Sequence, residues 1–244
     1  MATSSPYPLA LILGASGTLG RAIAQALAER GYAMGLHYFR SQENALTLAA
    51  QIEQQGRPVF LVSADLREEE QIGLLFERVQ SWGHPLRVLV YAVGLISRGT
   101  LLETSCETWE DVFSLNLRGA WLCARAAVPL MRESGGVIIN LTDCGAQRLW
   151  TTYAAYVLSK GALDHLTRLL AKTLAPAIRV NAVAPGMITP GVEMSSEEWD
   201  RLKQRLPLGQ PVRPESVAQA VLFLIENPQI TGQILYVDSG YHLL

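Results

Sequence analysis

Short apolar segments alternate with longer amphipathic segments along almost the whole chain of 244 residues. Seven short segments are rich in Leu, Ile and Val and are predicted to be strands: 9–13, 32–37, 59–63, 88–91, 137–141, 178–183 and 234–237. Six longer segments have helical periodicity: 18–30, 44–55, 68–82, 108–132, 152–174 and 214–225. Strands and helices that alternate in this way are joined by right-handed crossovers. The sequence therefore predicts an α/β fold with a doubly wound parallel sheet of about seven strands and helices on both faces.

We interpret residues 1–244 as a single domain. Apolar residues make up 49% of the chain and charged residues 17%, as expected for a parallel sheet that helices cover on both faces. The stretch GMITPGVEMSSEEWDRLKQRLPLGQPVRP interrupts the alternation with Gly, Pro and a short amphipathic helix. Long excursions of this kind are often binding loops, so we predict a substrate lid at about 187–213, with a surface insertion as the alternative.

Composition argues against several classes of partner. The net charge of −2 gives no electrostatic reason to expect nucleic acid or an anionic membrane. Three cysteines, Cys106, Cys123 and Cys144, cannot all pair with one another and do not have metal-ligand spacing, which favours a reducing compartment and no metal site. We read no secretory signal and no apolar run of membrane length, so we predict a cytoplasmic protein that acts on a small molecule.

A glycine-rich turn joins the first predicted strand to the first predicted helix in LALILGASGTLGRAIAQALAERG. Glycines permit a tight turn and a close approach of the backbone to a pyrophosphate, and the helix N-terminus offers free N–H donors. The turn therefore indicates a Rossmann-type dinucleotide-binding domain. The residues predicted to bind the cofactor here are Gly14, Ser16, Gly17, Thr18, Leu19 and Gly20.

The segment after the second predicted strand indicates which dinucleotide binds. An acidic residue there accepts hydrogen bonds from a ribose 2′-hydroxyl, whereas an arginine pairs with a 2′-phosphate. The chain has Arg40 and Ser41 at this place, so NADP(H) is preferred over NAD(H), although Glu43 follows one turn into the next helix. After the third strand, Asp65 and Leu66 are predicted to contact the adenine, and Asp65 could also cap the next helix.

Tyr156 and Lys160 lie four residues apart and are predicted to share one face of a helix. An ammonium beside a phenol, together with the positive charge of an oxidised nicotinamide, favours the phenolate and lowers the tyrosine pKa from its usual value of about 10. Such a pair can act as acid or base while a cofactor delivers hydride to a C=O or C=N bond. Tyr-x-x-x-Lys often occurs by chance, but its position after the fifth strand favours a catalytic role.

The chain resembles the short-chain dehydrogenase/reductase family over nearly all of its length. The matching pieces are GASGTLG, ADL, SLNLRG, YVLSK, IRVNAVAPG and ITGQILYVDSGY. The resemblance implies that Tyr156 is the acid/base, that Lys160 binds the nicotinamide ribose, and that Asn116 holds a water of a proton relay. It also implies that Pro185, Gly186 and Ile188 contact the nicotinamide end, and that the protein forms a homotetramer or homodimer.

Two positions depart from the general pattern of that family. The usual Asn-Asn-Ala-Gly after the fourth strand reads Tyr91-Ala92-Val93-Gly94, where Ala92 and Gly94 still permit close contact with the cofactor. The usual catalytic serine is replaced by Asp143. A hydroxyl can donate to a carbonyl oxygen, whereas an ionised carboxylate only accepts. Asp143 must therefore be protonated or meet a substrate that presents N–H groups.

The Asp–Tyr–Lys arrangement and the HYFRS segment resemble the pteridine and dihydropterin reductases, whose pterin substrates carry N–H groups. That branch has an aromatic residue soon after the fourth strand, where this chain has Leu95 and Ile96, and often an arginine in the glycine loop, where this chain has Thr18. The alternatives are therefore a 3-oxoacyl-thioester or other carbonyl reductase and an NADP-binding sensor without turnover. Candidates for the missing aromatic face are Trp150, Tyr153 and Trp199.

Overall fold

A computed structural model describes residues 7–190 and 194–244. Within these residues, seven strands form one parallel sheet in the order β3-β2-β1-β4-β5-β6-β7. The strands are β1 (Leu9–Leu13), β2 (Ala33–Tyr38), β3 (Val59–Ser63), β4 (Leu86–Tyr91), β5 (Gly136–Leu141), β6 (Ile178–Pro185) and β7 (Ile234–Val237). The predicted α/β fold with a doubly wound parallel sheet is confirmed.

The helices of the described residues follow the predicted pattern, with two differences. They are α1 (Thr18–Glu29), α2 (Gln42–Gln54), α3 (Glu69–Ser81), α4 (Cys106–Phe113), α5 (Ala120–Met131), α6 (Gly145–Arg148), α7 (Ala154–Leu174), α8 (Ser196–Arg205) and α9 (Pro214–Glu226). The predicted helix 108–132 is interrupted by a π-helical segment, Ser114–Gly119, between α4 and α5. The predicted helix 152–174 begins at Ala154 and is preceded by the short α6.

The core has two layers because successive side chains of a strand point to opposite faces of the sheet. In β1, Ala10 and Ile12 pack against α1, α2 and α9, whereas Leu9, Leu11 and Leu13 pack on the other face against α3, α5 and α7. All five side chains are fully buried. This two-sided burial explains why the strand reads as a continuous apolar run.

The carboxyl edge of the sheet is where a binding site is expected. Strand β1 pairs with β2 on one side and with β4 on the other, so the chain reverses its direction of winding at β1. Ligands of doubly wound sheets bind in the crevice outside the strand ends at such a point. A third apolar cluster of Cys144, Leu206 and Tyr241 lies over this edge, so the segment after β6 and the chain's last residues pack there.

In the part of the chain that the structure describes, no helix is long and apolar enough to cross a membrane. No group of three or more His, Cys, Asp or Glu side chains within residues 7–190 and 194–244 could hold a metal ion.

Candidate active site

The turn between β1 and α1 forms a cradle of bare backbone. Gly14 has a φ of +86°, which favours glycine. A Cβ added to Gly20 would lie 2.1 Å from the carbonyl oxygen of Gly14, and one added to Gly14 would lie 2.8 Å from the carbonyl oxygen of Ala92. Gly17 directly precedes α1, so no side chain caps its first N–H groups. These close approaches and free donors fit a pyrophosphate.

Arg40 and Ser41 follow β2 and are exposed, and Ser41 directly precedes α2. The guanidinium carbon of Arg40 lies 5.0 Å from the ring centre of Phe39, which supports the side chain from one face. Glu43 lies in the first turn of α2, as expected. The exposed positive charge at the end of β2 therefore suits a phosphate group on the ribose.

Asp65 and Leu66 follow β3. Asp65 accepts hydrogen bonds from Arg67, at 2.6 Å from Nη2 and 3.0 Å from Nε, and this contact holds the pKa of the Asp65 carboxyl below its usual range. The suggestion that Asp65 caps the next helix is wrong, because Glu68 precedes α3 and Asp65 binds the backbone N–H of Arg67 instead. The Leu66 side chain is buried in the core, so only its backbone could contact an adenine.

Tyr156 and Asp143 form the centre of the site. The Tyr156 hydroxyl donates to Oδ2 of Asp143 at 2.7 Å, and the backbone N–H of Gly145 donates to Oδ1 at 2.6 Å. Asp143 follows β5, and Tyr156 lies in the first turn of α7. The start of α7 is anchored to the loop after β4, because Ala154 N–H donates to Gly99 O at 3.1 Å. Two separate segments therefore bring the phenol and the carboxyl group together.

Lys160 lies one turn beyond Tyr156 on the same face of α7, as the spacing predicted. It is 3% exposed, its Nζ donates to the carbonyl oxygen of Leu141 at 2.8 Å, and it lies 5.8 Å from the centre of the Tyr156 ring. Burial lowers the pKa of Lys160 to about 8, against the opposing effects of Asp143 and Asp164. Lys160 is therefore mainly charged at neutral pH.

The expectation that Lys160 lowers the pKa of Tyr156 is wrong for this structure. Burial, followed by the charge of Asp143 and its hydrogen bond, raises the pKa of Tyr156 well above its usual value. Burial is the largest cause, and the Asp143 carboxyl group, which contacts the hydroxyl directly, acts in the same direction. Burial also raises the pKa of Asp143, against the donors Gly145 and Tyr156. Tyr156 is consequently a protonated phenol that can act as an acid.

Asn116 lies in the π-helical segment and is fully buried. Its Oδ1 accepts from Leu95 N–H at 2.7 Å, and its Nδ2 donates to Leu95 O at 3.0 Å and to Ser159 Oγ at 2.9 Å. The amide thus joins the loop after β4 to α7. The water that Asn116 is predicted to hold stays a prediction. Its side chain makes direct hydrogen bonds to Leu95 on one side and to Ser159 on the other.

Gly94 lies close to the side chains of Lys160 and Asn116. A Cβ at this position would lie 3.2 Å from Lys160 Nζ and 3.7 Å from Asn116 Oδ1. The glycine after β4 therefore leaves room for the Lys160 side chain, despite the altered Tyr91-Ala92-Val93-Gly94 sequence.

A cavity of about 640 Å³ opens over Asp143, Tyr156 and Lys160. Other predicted site residues that line it are Leu19, Ala92, Gly94, Pro185, Gly186 and Ile188. The aromatic residues on its walls are Trp150, Tyr153, Trp199 and Tyr241. All three suggested aromatic candidates therefore face the same space as the Tyr–Asp pair, while Ile96 lines the position after β4.

Part of the predicted lid forms one wall of this cavity. Met194, Trp199 and Leu202 contribute to the wall, and α8 begins with a capping box in which Ser195 and Glu198 bind each other's backbone N–H groups. The helix predicted within 187–213 is therefore present. Residues 191–193 of the predicted lid lie outside the described residues.

Several residues of the site were not found from the sequence. Gly145 holds Asp143, and an added Cβ there would lie 2.7 Å from the Trp150 ring. Arg67 holds Asp65, and Tyr241 reaches the cavity from the last residues of the chain. Gly145 lies two residues after Asp143, and Arg67 lies two residues after Asp65, so their closeness in sequence to predicted site residues could have indicated them. The position of Tyr241 depends on long-range packing, which the sequence does not show.

Comparison with known proteins places this geometry among reductases. A family model described as enoyl-(acyl carrier protein) reductase matches residues 14–242. Carbonyl reductase family member 4 of Danio rerio is 37% identical over 97% of this chain and 98% of that protein. The 3-oxoacyl-(acyl-carrier-protein) reductase FabG of Staphylococcus aureus is 32% identical over 96% of this chain and 98% of its own length.

A solved structure is also similar throughout. The FolM alternative dihydrofolate reductase 1 of Brucella suis, in complex with NADP, has a TM-score of 0.92 and 30% sequence identity, covering 99% of this chain and 97% of that chain.

Proposed function

Because the chain belongs to the short-chain dehydrogenase/reductase family of oxidoreductases, we propose that it reduces a C=N bond of a pterin-like heterocycle with NADPH. The observation that carries the proposal is the hydrogen bond between Tyr156 and Asp143 in a cavity with aromatic walls. A carboxyl group stands where a carbonyl substrate needs a hydroxyl donor. The similarity to a protein named as an alternative dihydrofolate reductase supports this choice of substrate.

The residues at the sheet edge fit NADPH. The glycine cradle would accommodate the pyrophosphate, and Arg40 and Ser41 would contact the 2′-phosphate. The NADP complex of the similar reductase supports this assignment. When bound, the nicotinamide supplies the hydride that reduces the substrate carbon.

Asp143 would orient the substrate by accepting hydrogen bonds from an amino group and a ring N–H, as an ionised carboxylate can. A flat heterocycle suits the aromatic side chains of Trp150, Tyr153 and Trp199 on the walls of the cavity. The buried setting makes each of these polar contacts stronger than in water.

Tyr156 would donate its hydroxyl proton to the substrate nitrogen as the adjacent carbon is reduced. One hydride and one proton convert C=N into CH–NH, which balances the reaction. The resulting phenolate would be stabilised by the Lys160 ammonium nearby and reprotonated from solvent. Because the pKa of Tyr156 is raised in the free protein, the hydroxyl is protonated at neutral pH and has a proton to donate.

The second candidate is a carbonyl reductase acting on a 3-oxoacyl thioester or a related ketone. It is favoured by the identity with carbonyl reductase family member 4 and with FabG over nearly the whole chain. In that reaction Asp143 would have to be protonated to donate to the carbonyl oxygen, and burial raises its pKa in the required direction.

A substrate panel with matched Asp143 variants separates the two. NADPH oxidation is followed with dihydropterins, 3-oxoacyl thioesters and simple ketones, using wild type, Asp143→Asn and Asp143→Ser. Under the pterin proposal, Asp143→Ser loses at least tenfold of the dihydropterin kcat/KM, the effect of one lost charge-assisted hydrogen bond of about 1.5–3 kcal/mol. Ketone activity that survives or rises in Asp143→Ser, without wild-type pterin turnover, would favour the carbonyl reductase. Stoichiometric NADPH binding without turnover of any substrate would favour a sensor.

The segment 187–213 is proposed as the substrate lid, on the basis of the six residues it adds to the cavity wall, which are Met187, Ile188, Thr189, Met194, Trp199 and Leu202. A homotetramer or homodimer is proposed as the working assembly. Exposed apolar side chains on α5 and α7, Trp121 and Leu169, support an interface on that face, and light scattering would measure the assembly mass. All three cysteines are free, which fits the proposed location in the cytoplasm.

A further inference from the structure

His37 lies near the end of β2 and is 2% exposed. Both of its ring nitrogens bind the backbone of other segments. The Gly14 N–H donates to Nδ1 at 3.1 Å, and Nε2 lies 2.9 Å from the carbonyl oxygen of Ala64. A single buried side chain therefore contacts the segments that follow β1 and β3.

The partners fix the tautomer of the ring. A backbone N–H can only donate and a carbonyl oxygen can only accept, so Nδ1 must be unprotonated and Nε2 must carry the hydrogen. Burial lowers the pKa of His37 to about 4, against the raising effects of Ala64 and Asp65. The imidazole is therefore neutral at physiological pH and can accept at Nδ1.

Three segments are predicted to bind the nucleotide, namely those that follow β1, β2 and β3; the His37 ring contacts the first and the third, and His37 itself lies just before the second. Gly14 is the glycine with positive φ that opens the turn, and the next residue, Ala15, donates its N–H to the His37 carbonyl oxygen at 2.9 Å. Ala64 directly precedes Asp65, and Arg40 follows β2 three residues beyond His37. The imidazole thus links the pyrophosphate turn to the two segments expected around the adenosine.

We propose that His37 is a positioning residue for the dinucleotide, which fixes the Gly14 end of the cradle in its binding geometry through the Nδ1 contact. The inference rests on the nucleotide site of the proposed function and is independent of the substrate. Without the Nδ1 acceptor, the Gly14 N–H loses its buried partner and the turn must rearrange to satisfy it.

Two substitutions separate the contacts of the ring. Asn places its side-chain oxygen near the position of Nδ1, so His37→Asn keeps an acceptor for Gly14 and loses the reach to Ala64. Gln places its amide nitrogen near the position of Nε2, so His37→Gln keeps a donor for Ala64 and loses the acceptor for Gly14. Each variant retains one of the two hydrogen bonds, which makes them matched controls.

The test is the Kd of NADPH, measured by calorimetry on wild type and both variants, with the Tm of each cofactor-free protein alongside. We expect the Kd to stay within about threefold of wild type in His37→Asn and to rise about tenfold in His37→Gln, as one lost hydrogen bond requires. The Tm values of the two variants should be similar. The ¹⁵N shifts of the wild-type imidazole should also show Nε2 protonated and Nδ1 unprotonated.

Equal Kd values for the two variants, or a Kd loss that follows the loss of Tm, would overturn the positioning role. So would a ring protonated at Nδ1. Wild-type protein that fails to bind NADPH would instead overturn the nucleotide site on which the proposed function also rests, so the two failures are distinguishable.

Discussion

Replacing Asp143 with Asn is expected to make the folded protein more stable while it removes most of the activity. Asp143 is a partly buried carboxyl group on the cavity wall, and its removal from solvent is the main cause that raises its pKa above the usual value. A raised pKa means that the ionised group destabilises the folded state at neutral pH. The substitution keeps the shape of the side chain and removes the charge.

Both contacts of Asp143 are expected to persist in the variant. In the wild-type protein, the Gly145 N–H lies 2.6 Å from Oδ1 of Asp143 and the Tyr156 oxygen lies 2.7 Å from Oδ2. In the variant, the amide oxygen can still accept from Gly145, and the amide nitrogen can donate to the Tyr156 oxygen. The change in stability is then governed by the lost charge penalty, at about 1.4 kcal/mol for each unit of raised pKa. For a chain of this length, each kcal/mol shifts the Tm by about 2–4 °C.

The direction of the shift in the Asp143 pKa also determines how the stability of the folded protein depends on pH. The stability associated with a carboxyl group of raised pKa is present below its unfolded pKa and is lost as pH rises through the folded value. Asp143→Asn should therefore melt higher than wild type at pH about 7.5, and the difference should shrink as the pH falls towards the unfolded value of about 3.9.

The assay is thermal unfolding across this pH range, with Asp111→Asn as the control. Asp111 is half-exposed and pairs with Arg67 at 3.2 Å, so its substitution should change the Tm little or lower it slightly. A neutral-pH Tm for Asp143→Asn below that of wild type would refute the reasoning, because it would mean that the two donors outweigh the cost of burying the charge.

Three further predictions concern the cofactor cradle. Gly20→Ala should destabilise the cofactor-free protein by about 1–3 kcal/mol in urea unfolding, because the new Cβ would lie 2.1 Å from the carbonyl oxygen of Gly14. In the control Gly17→Ala, the new Cβ would lie 3.5 Å from the same oxygen, so the free energy of unfolding should stay close to that of wild type. Equal losses of stability in the two variants would contradict this reasoning. Arg40→Ala should reduce the preference for NADPH over NADH at least tenfold in Kd measurements, as loss of a charge-assisted contact of about 1.5–3 kcal/mol requires, and an unchanged preference would exclude the phosphate contact. His37 has a pKa lowered to about 4, so its contribution to stability is present above its unfolded pKa of about 6.5 and is lost as pH falls towards 4. Urea unfolding of wild type and His37→Asn should show that the substitution reduces the loss of stability between pH about 7 and 5, and parallel curves would be the contrary result.

The arrangement of strands and helices was predictable because it depends on local periodicity. Strands β1, β3 and β7 begin and end where their apolar runs do, while β2 is displaced by one residue. The π-helical break at Ser114–Gly119 was missed because the apolar pattern runs through it, and only the backbone hydrogen bonds change. Bounds that depend on composition were therefore predicted better than irregularities within a helix.

The site was predictable where residues are close in sequence. The spacing of Tyr156 and Lys160 placed both on one face of α7. The shift of the Tyr156 pKa was predicted in the wrong direction. Burial is its largest cause, followed by Asp143, which contacts the hydroxyl at 2.7 Å, and neither follows from the local spacing of Tyr156 and Lys160. The links made by His37 join residues more than twenty positions apart, and no local pattern indicates such contacts.

The most direct test of the central claim, that Tyr156 delivers the proton while the cofactor reduces the substrate, is a single-turnover measurement of NADPH absorbance with wild type and Tyr156→Phe. Tyr153→Phe, which alters another tyrosine of the cavity wall, is the control. Loss of a positioned acid is expected to slow the reaction by about 10²–10⁴-fold, with the Kd of NADPH within about twofold of wild type and near-normal turnover in the control. Turnover of Tyr156→Phe close to the wild-type rate, with NADPH bound normally, would contradict the account.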